Sequence, residues 1–254
     1  MFKKSFYLLL TVAVFVLIFC GCSISTIEKT EQFQKDYSST GVTALKVVNI
    51  TGNVTISKND SSSDAQIHVY ALKRTYSISN DELSYVTVTV TEGASMKIES
   101  VYKQSANVSV DYTIKIPANI SVDIDNTTGS LNIDGVTSAG SIKTTTGNIS
   151  LNGVTSAGSI NTTTGDIKIK NVTYISTVIS TTGALDINIG NIKNDMSLST
   201  TTGAIKVYFA PNLNANLTTS KLTGSINTNG VTLAGTFKIS ISVITGDITL
   251  NYIQ

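Results

Sequence analysis

The side chains able to do chemistry are few and far apart. His68 is the single histidine of the 254 residues, and the two cysteines, Cys20 and Cys22, lie near the N-terminus. One imidazole with no cysteine near it cannot assemble the usual His/Cys zinc sets, and no thiol nucleophile exists beyond residue 22. His68 alternates between Ile67 and Val69, which places it on the outer face of a strand. Carboxylates come in scattered pairs: Asp60/Asp64, Asp81/Glu82 and Asp123/Asp125. Only Asp123 and Asp125 share a strand face, on either side of an inward Ile124. A hydrolytic carboxylate pair sits at roughly 5–10 Å across a cleft, but no aromatic platform or third polar partner accompanies these two, so solvated surface is expected. Asp166 and Asp247 occupy one repeat position, yet Ser130, Asn148, Ala184, Ala204 and Ser225 fill the matching ones. The Gly-Gly-x-Gly-x-Asp calcium repeat is absent, as are a phosphate loop and a dinucleotide fingerprint. The expectation is therefore no catalytic set, no metal, no cofactor and no enzyme.

Cys22 carries a different chemistry. Lys3 and Lys4 precede an apolar run from Phe6 to Phe19, followed by Cys20-Gly21-Cys22. A short basic segment, an apolar run too short for the roughly 20 residues of a membrane span and a small residue at its end read as a secretory signal. Phe19-Cys20-Gly21-Cys22 resembles a bacterial lipobox, with Cys22 as the lipidated residue and Phe19 standing where leucine is usual. The alternative is an uncleaved anchor. Both put the rest of the chain outside the cytoplasm, tethered to a membrane. Residues 23–41, polar and without sustained period, suit a tether.

Threonine runs supply the remaining candidate surface: Thr144-Thr145-Thr146, Thr162-Thr163-Thr164, Ser180-Thr181-Thr182 and Thr200-Thr201-Thr202. They belong to a repeat. A Thr-Gly-x-apolar unit has its glycine at Gly129, Gly147, Gly165, Gly183, Gly203, Gly224 and Gly246, a period of about 18 to 22 residues. Two and four residues after the glycine stand Leu131/Ile133, Ile149/Leu151, Ile167/Ile169, Leu185/Ile187 and Ile205/Val207; five before it stand Ile124, Ile142, Ile160, Val178 and Leu198. Alternation on both sides of a glycine turn predicts two short strands per unit with one face inward. Such a unit cannot close its own core, but stacked units can. The fold class is thus all-β: a β-solenoid whose coils stack in sequence order, six intervals spanning roughly 29 Å at ~4.8 Å per coil. Within a coil, Thr144 and Thr146 share the parity of Ile142. Both should then face inward, bonding the backbone at the corner, and leave one outward column, Thr145, Thr163, Thr181 and Thr201. One column is too narrow for an ice-binding face.

The composition agrees. Ser, Thr and Asn supply 89 residues, whereas charged residues are 14% and the formal net charge is +1. No basic face for nucleic acid can be built from so few cations. Residues 42–117 also alternate, as in Val86-Thr87-Val88-Thr89-Val90, but lack the 18-residue beat, although Thr51-Gly52-Asn53-Val54 echoes it. Residues 23–117 hold 19 charged side chains against 14 in residues 118–254, and residues 42–117 suit a β-rich cap over the first coil of residues 118–254, the two regions forming one continuous domain.

Leu45–Ile56 with its Thr-Gly, the stretch Tyr112-Thr-Ile-Lys-Ile-Pro117-Ala-Asn-Ile-Ser-Val122 and the Thr-Gly-x-Ile ladder resemble the putative-adhesin family of extracytoplasmic β-strand repeat domains, the stacked-strand toastrack heads of envelope proteins. The family has no catalytic motif to carry over. The resemblance implies a surface or envelope location. With the lipobox-like terminus it leads to a membrane-anchored, non-catalytic surface lipoprotein for adhesion, scaffolding or binding of a protein or glycan partner. An accessory or sensing head of an envelope-stress system is the alternative; a glycan- or ice-binding protein and a polysaccharide-cleaving enzyme stand behind it.

Overall fold

A computed structural model describes residues 28–76 and 82–253. The signal segment 1–22 with Cys22, and residues 23–27 of the expected tether, lie outside the described residues.

The repeat folds as its alternation requires. After a leading section, the chain forms pairs of strands joined by the repeat glycines: β8 (Ser121–Thr128) with β9 (Leu131–Asp134), β10 (Ser138–Thr146) with β11 (Ile149–Asn152), β12 (Ser156–Thr164) with β13 (Ile167–Val172), β14 (Tyr174–Thr182) with β15 (Leu185–Ile189), and β16 (Met196–Thr202) with β17 (Ile205–Phe209). The first strand of each pair joins one sheet and the second joins another, both parallel from coil to coil. The register is that of the repeat, with Ile142 opposite Ile160 and Ile149 opposite Ile167. The core lies between the sheets as stacked columns of like residues. Ile124, Ile142, Ile160, Val178 and Leu198 face Leu131, Ile149, Ile167, Leu185 and Ile205, all of them buried. Each such side chain is worth roughly 1.5–3 kcal/mol against exposure.

The last two coils do not stack in sequence order. β18 (Ala215–Thr223) and β19 (Ile226–Asn227) form the outermost coil, while β20 (Phe237–Thr245) and β21 (Ile248–Tyr252) insert between it and β16/β17. The inward positions explain the exchange. In the final coil these are Ile239, Ile241, Val243, Ile248 and Leu250, all buried. In the preceding unit they are Leu217, Thr219, Lys221 and Ile226, and both Lys221 and Ile226 are exposed. A coil between two neighbours must bury its inner face, and burying an unpaired ammonium costs several kcal/mol. The apolar coil therefore takes the interior place. The polar one ends the stack, where an inward charge also blunts the free sheet edge.

The leading section departs from the expected cap at its start. β2 (Ala44–Thr51) and β3 (Val54–Lys58), joined by Gly52, are a full coil stacked on β8 and β9, with Leu45 opposite Val122 and Val54 opposite Leu131. The Thr51-Gly52 echo is a member of the ladder that lies 77 residues before Gly129 in sequence yet next to it in space, because the chain between makes an excursion. That excursion is the cap: β4 (Gln66–Thr75), a 3-10 turn at Glu82–Tyr85, β5 (Val86–Thr91), β6 (Ser95–Tyr102) and β7 (Val108–Ile116). β6 and β7 lie parallel on β2 and β3, and β5 and β4 close the two sheets antiparallel.

The expected tether is corrected as well. Residues Lys29–Ser38 form β1, paired antiparallel with β4 over its whole length. The strand has no period-two pattern because an edge strand needs only its backbone to pair; just Tyr37 is buried and Phe33 partly so. The eleven strands of the larger sheet make a rod of ~48 Å at ~4.8 Å per strand.

Candidate functional site

The corner between the two sheets is the most repeated feature of the molecule. Gly129, Gly147, Gly165, Gly183, Gly203 and Gly246 all have φ between 138 and 153°, with Gly224 at 124°. A φ in this range disfavours any side chain, and a second constraint is steric. A Cβ on Gly165 would fall deep inside van der Waals contact with the carbonyl oxygen of Gly147, and the same relation holds at each coil of the stack. The corners also bond one another. Gly147 N–H donates to Thr164 O at 2.8 Å, Gly203 N–H to Thr245 O at 3.0 Å and Gly246 N–H to Thr223 O at 3.0 Å, following the exchanged order.

In the coils of Gly129 through Gly203, the inward polar side chain three residues before the glycine reaches that crowded carbonyl, whereas the coil of Gly246 has Val243 there. Thr162 Oγ1 donates to Gly147 O at 3.1 Å, Ser180 Oγ to Gly165 O at 3.1 Å and Thr200 Oγ1 to Gly183 O at 3.0 Å. Asn126 spans two coils, donating to both Gly52 O and Gly129 O. All four side chains are buried. The inward hydroxyls thus bond the backbone, but of the neighbouring coil, so they tie one coil to the next.

Parity fails for the third residue of each run. Thr146, Thr164, Thr182 and Thr202 are exposed, as are Thr145, Thr163, Thr181 and Thr201. The strand bends into the corner after the buried position and turns the last threonine outward. The exposed edge therefore has two adjacent hydroxyl columns. One of them, Thr51, Thr128, Thr146, Thr164, Thr182, Thr202, Thr245 and Thr223, runs in register through eight coils.

Among the described residues, most of the carboxylates singled out in the sequence are spent on structure; Asp81 lies outside them. Asp123 Oδ1 accepts Ser141 N–H and fills the space beside Gly140, where β10 shifts register against β8. Asp125 is exposed, opposite Lys143. Asp166 Oδ1 accepts Ala184 N–H at 2.7 Å and Asp247 Oδ1 accepts Ser225 N–H at 2.8 Å, so this repeat position links corner to corner. The Ser225 hydroxyl and N–H hold the Asp247 carboxyl below its ordinary range.

His68 lies between two carboxylates, Nε2 against Asp64 Oδ2 at 2.9 Å and Nδ1 against Asp36 Oδ1 at 2.8 Å. Bonding to Asp64 first and Asp36 second raises the imidazole pKa, and the same bond is the main cause lowering that of Asp64. The clasp fastens β1 and the loop before β4 to β4 itself. Sequence reading could not pair these residues, since Asp36 fell in the expected tether.

One feature had no signal in the sequence. At the far end from the cap, the outer face of the larger sheet carries an open depression lined by Asn188, Tyr208, Asn229, Asn251, Tyr252 and Ile253. Asn188, Tyr208 and Asn251 stand on β15, β17 and β21 at one register level. Asn229 Nδ2 donates to Asn251 Oδ1 at 2.8 Å, and the Tyr252 hydroxyl holds the loop wall through the N–H and carbonyl of Thr232.

Residues 24–251 match the family described as Toastrack DUF4097. No curated protein matches the sequence. Among solved structures the chain is similar to a candidate cell adhesion protein from Clostridium sporogenes, at 13% identity over 89% of this chain and 100% of that one, with a TM-score of 0.38. An adhesin candidate from Bacteroides fragilis is 14% identical over 88% and 97%, TM-score 0.43. A candidate lipid binding protein from Parabacteroides distasonis is 8% identical over 88% and 97%, TM-score 0.34.

Proposed function

The chain belongs to the toastrack family, and on that premise we propose that it is a non-catalytic surface lipoprotein whose solenoid presents binding faces away from a membrane. The observation that carries the reading is the eight-coil threonine column on a rod held in register by its own backbone and buried hydroxyls. An extended, nearly uncharged edge of repeated hydroxyls suits adhesion or scaffolding, where many weak contacts add along a rigid surface. Anchoring rests on Lys3, Lys4, the apolar run and Cys22. Lys29, where β1 begins at the capped end, is seven residues from Cys22, at most about 25 Å of extended chain. An anchor at Cys22 would hold the cap near the membrane and leave the exchanged coils free to point outward.

The test is made on intact cells expressing the full chain. Lipid labelling that depends on Cys22, membrane retention lost in Cys22→Ala, and protease access to the head in unbroken cells are expected. A protein that resists protease in intact cells while remaining folded, or that fractionates with the cytoplasm, would overturn the reading.

A further inference from the structure

We propose that the depression over β15, β17 and β21 binds an uncharged saccharide. The inference deepens the surface-binding reading and rests on it for its biological setting, but its chemistry stands on the site. The depression encloses about 560 Å³ and continues into a second of about 300 Å³ lined by Asn171, Val172, Thr173, Asn188, Gly190 and Asn191, the two sharing Asn188 and Ile253. The shared lining makes one track along the rod, crossing β13 to β21, about 14 Å at ~4.8 Å per strand. Among the described residues, no lining residue carries a charge.

The chemistry of the lining selects the ligand class. Tyr208 is half-buried, and its ring is flanked by the register neighbours Asn188 and Asn251. Among the described residues the Tyr208 hydroxyl and the Asn188 amide make no hydrogen bond, so both are available. Asn251 uses its carbonyl on Asn229, which orients its amide donors. A sugar ring offers hydroxyls that both donate and accept, which amides match from both of their ends, and an apolar C–H face that stacks on an aromatic ring. An anionic ligand would find no cation in the lining, and an apolar one would bury amides without partners.

The site is also built in advance. Tyr252 pins the loop at Thr232, and Val231 N–H closes a turn on Thr228 O at 2.8 Å. A wall already ordered loses little freedom on binding. The coil exchange makes the site: in sequence order β17 would meet the coil of Asn229 directly, and Asn251 would not stand beside Tyr208.

The experiment is calorimetric titration of purified residues 23–254 with maltohexaose, cellohexaose, laminarihexaose, xylohexaose, mannohexaose and chitohexaose. Oligogalacturonate and an unstructured Gly/Ser-rich peptide serve as charged and peptide arms. Saturable binding of one or more neutral sugars is expected, weakened at least tenfold in Tyr208→Ala and in Asn188→Asp, with circular dichroism unchanged in both. Tyr70→Ala, on the cap strand β4, should bind as the parent does. Binding of none of the neutral sugars, preference for the acidic sugar or the peptide, or equal binding by Tyr208→Ala would overturn the proposal. Cell-surface attachment is scored beside it. Attachment that survives Tyr208→Ala removes this site and leaves the surface role; sugar binding without surface exposure does the reverse.

Discussion

Gly165→Ala is the sharpest test of the corner as a coil-to-coil contact. The glycine has φ 147°, and an alanine held there costs about 1–3 kcal/mol of backbone strain. The added methyl would also occupy the position of Gly147 O, so the coils must part. Two hydrogen bonds across that gap then weaken, Gly147 N–H to Thr164 O at 2.8 Å and Thr162 Oγ1 to Gly147 O at 3.1 Å, at about 1–3 kcal/mol for each buried group left unpaired. The sum is roughly 3–9 kcal/mol, a large share of the ~5–15 kcal/mol that folded domains possess. Gly41 supplies the control, since its φ is 78° but an added Cβ would meet nothing within 4 Å. Gly41→Ala should show backbone strain alone, about 1–3 kcal/mol. Urea unfolding followed by circular dichroism and by tyrosine fluorescence, in a chain with ten tyrosines and no tryptophan, measures both. Weakening one interface in the middle of a stack should also separate the two halves, giving a broadened or two-step transition. Equal destabilisation by the two substitutions would refute the close-approach argument and leave φ as the whole requirement.

Thr162→Val keeps the shape but strands the carbonyl of Gly147, for an expected loss of about 1–3 kcal/mol, whereas Thr163→Val on the exposed column should stay within about 0.5 kcal/mol of the parent; chemical denaturation of both decides. His68, as the only histidine, gives one unambiguous imidazole signal in an NMR titration, expected above the ordinary value of about 6.5. Because its folded pKa is raised and that of Asp64 lowered, the clasp stabilises fully between the ordinary Asp and His values. It is lost as pH rises through the folded His68 pKa or falls through that of Asp64. The melting-temperature gap between parent and His68→Gln should therefore peak at mildly acidic pH and shrink in alkali; a gap that widens there would reverse the assignment. Ending the chain after Gly235 should expose residues 215–235 to limited proteolysis, because their coil stacks on the strands removed; protection of that segment would contradict the exchanged order.

The interior of the fold was legible because its signal is strictly local. Each of Ile142, Thr144 and Gly147 has the same role in its coil as Ile160, Thr162 and Gly165 in the next, and a parallel stack copies a local pattern into a column. Three things escaped for physical reasons. Lys29–Ser38 is an edge strand that pairs through its backbone and carries little apolar alternation. Thr146 follows the corner rather than the strand, so period two ends one residue early. Gly52 belongs to the ladder, but the intervening β4 to β7 hide its partner Gly129 from any search by fixed period.

The order of coils was legible in principle from two inward residues. Thr219 stands where other units hold Ile, Val or Leu, and Lys221 where they hold Asn, Ser, Thr or Val, so the unit of Gly224 could not be interior. Once that unit must be terminal, the later and fully apolar unit of Gly246 has one place left, against β16 and β17. The same step brings Asn251 beside Tyr208 and Asn229 beside Asn251. A requirement of core energetics, that an unpaired lysine not be buried, thus sets which polar side chains meet on the outer face. Replacing Lys221 by Ile should lower the bias toward the exchanged order without touching the depression. If Lys221→Ile, with Thr219→Val beside it, restored sequence-order stacking, protection of Gly246 N–H against hydrogen exchange would fall as its coil became terminal, and saccharide binding would be lost with it.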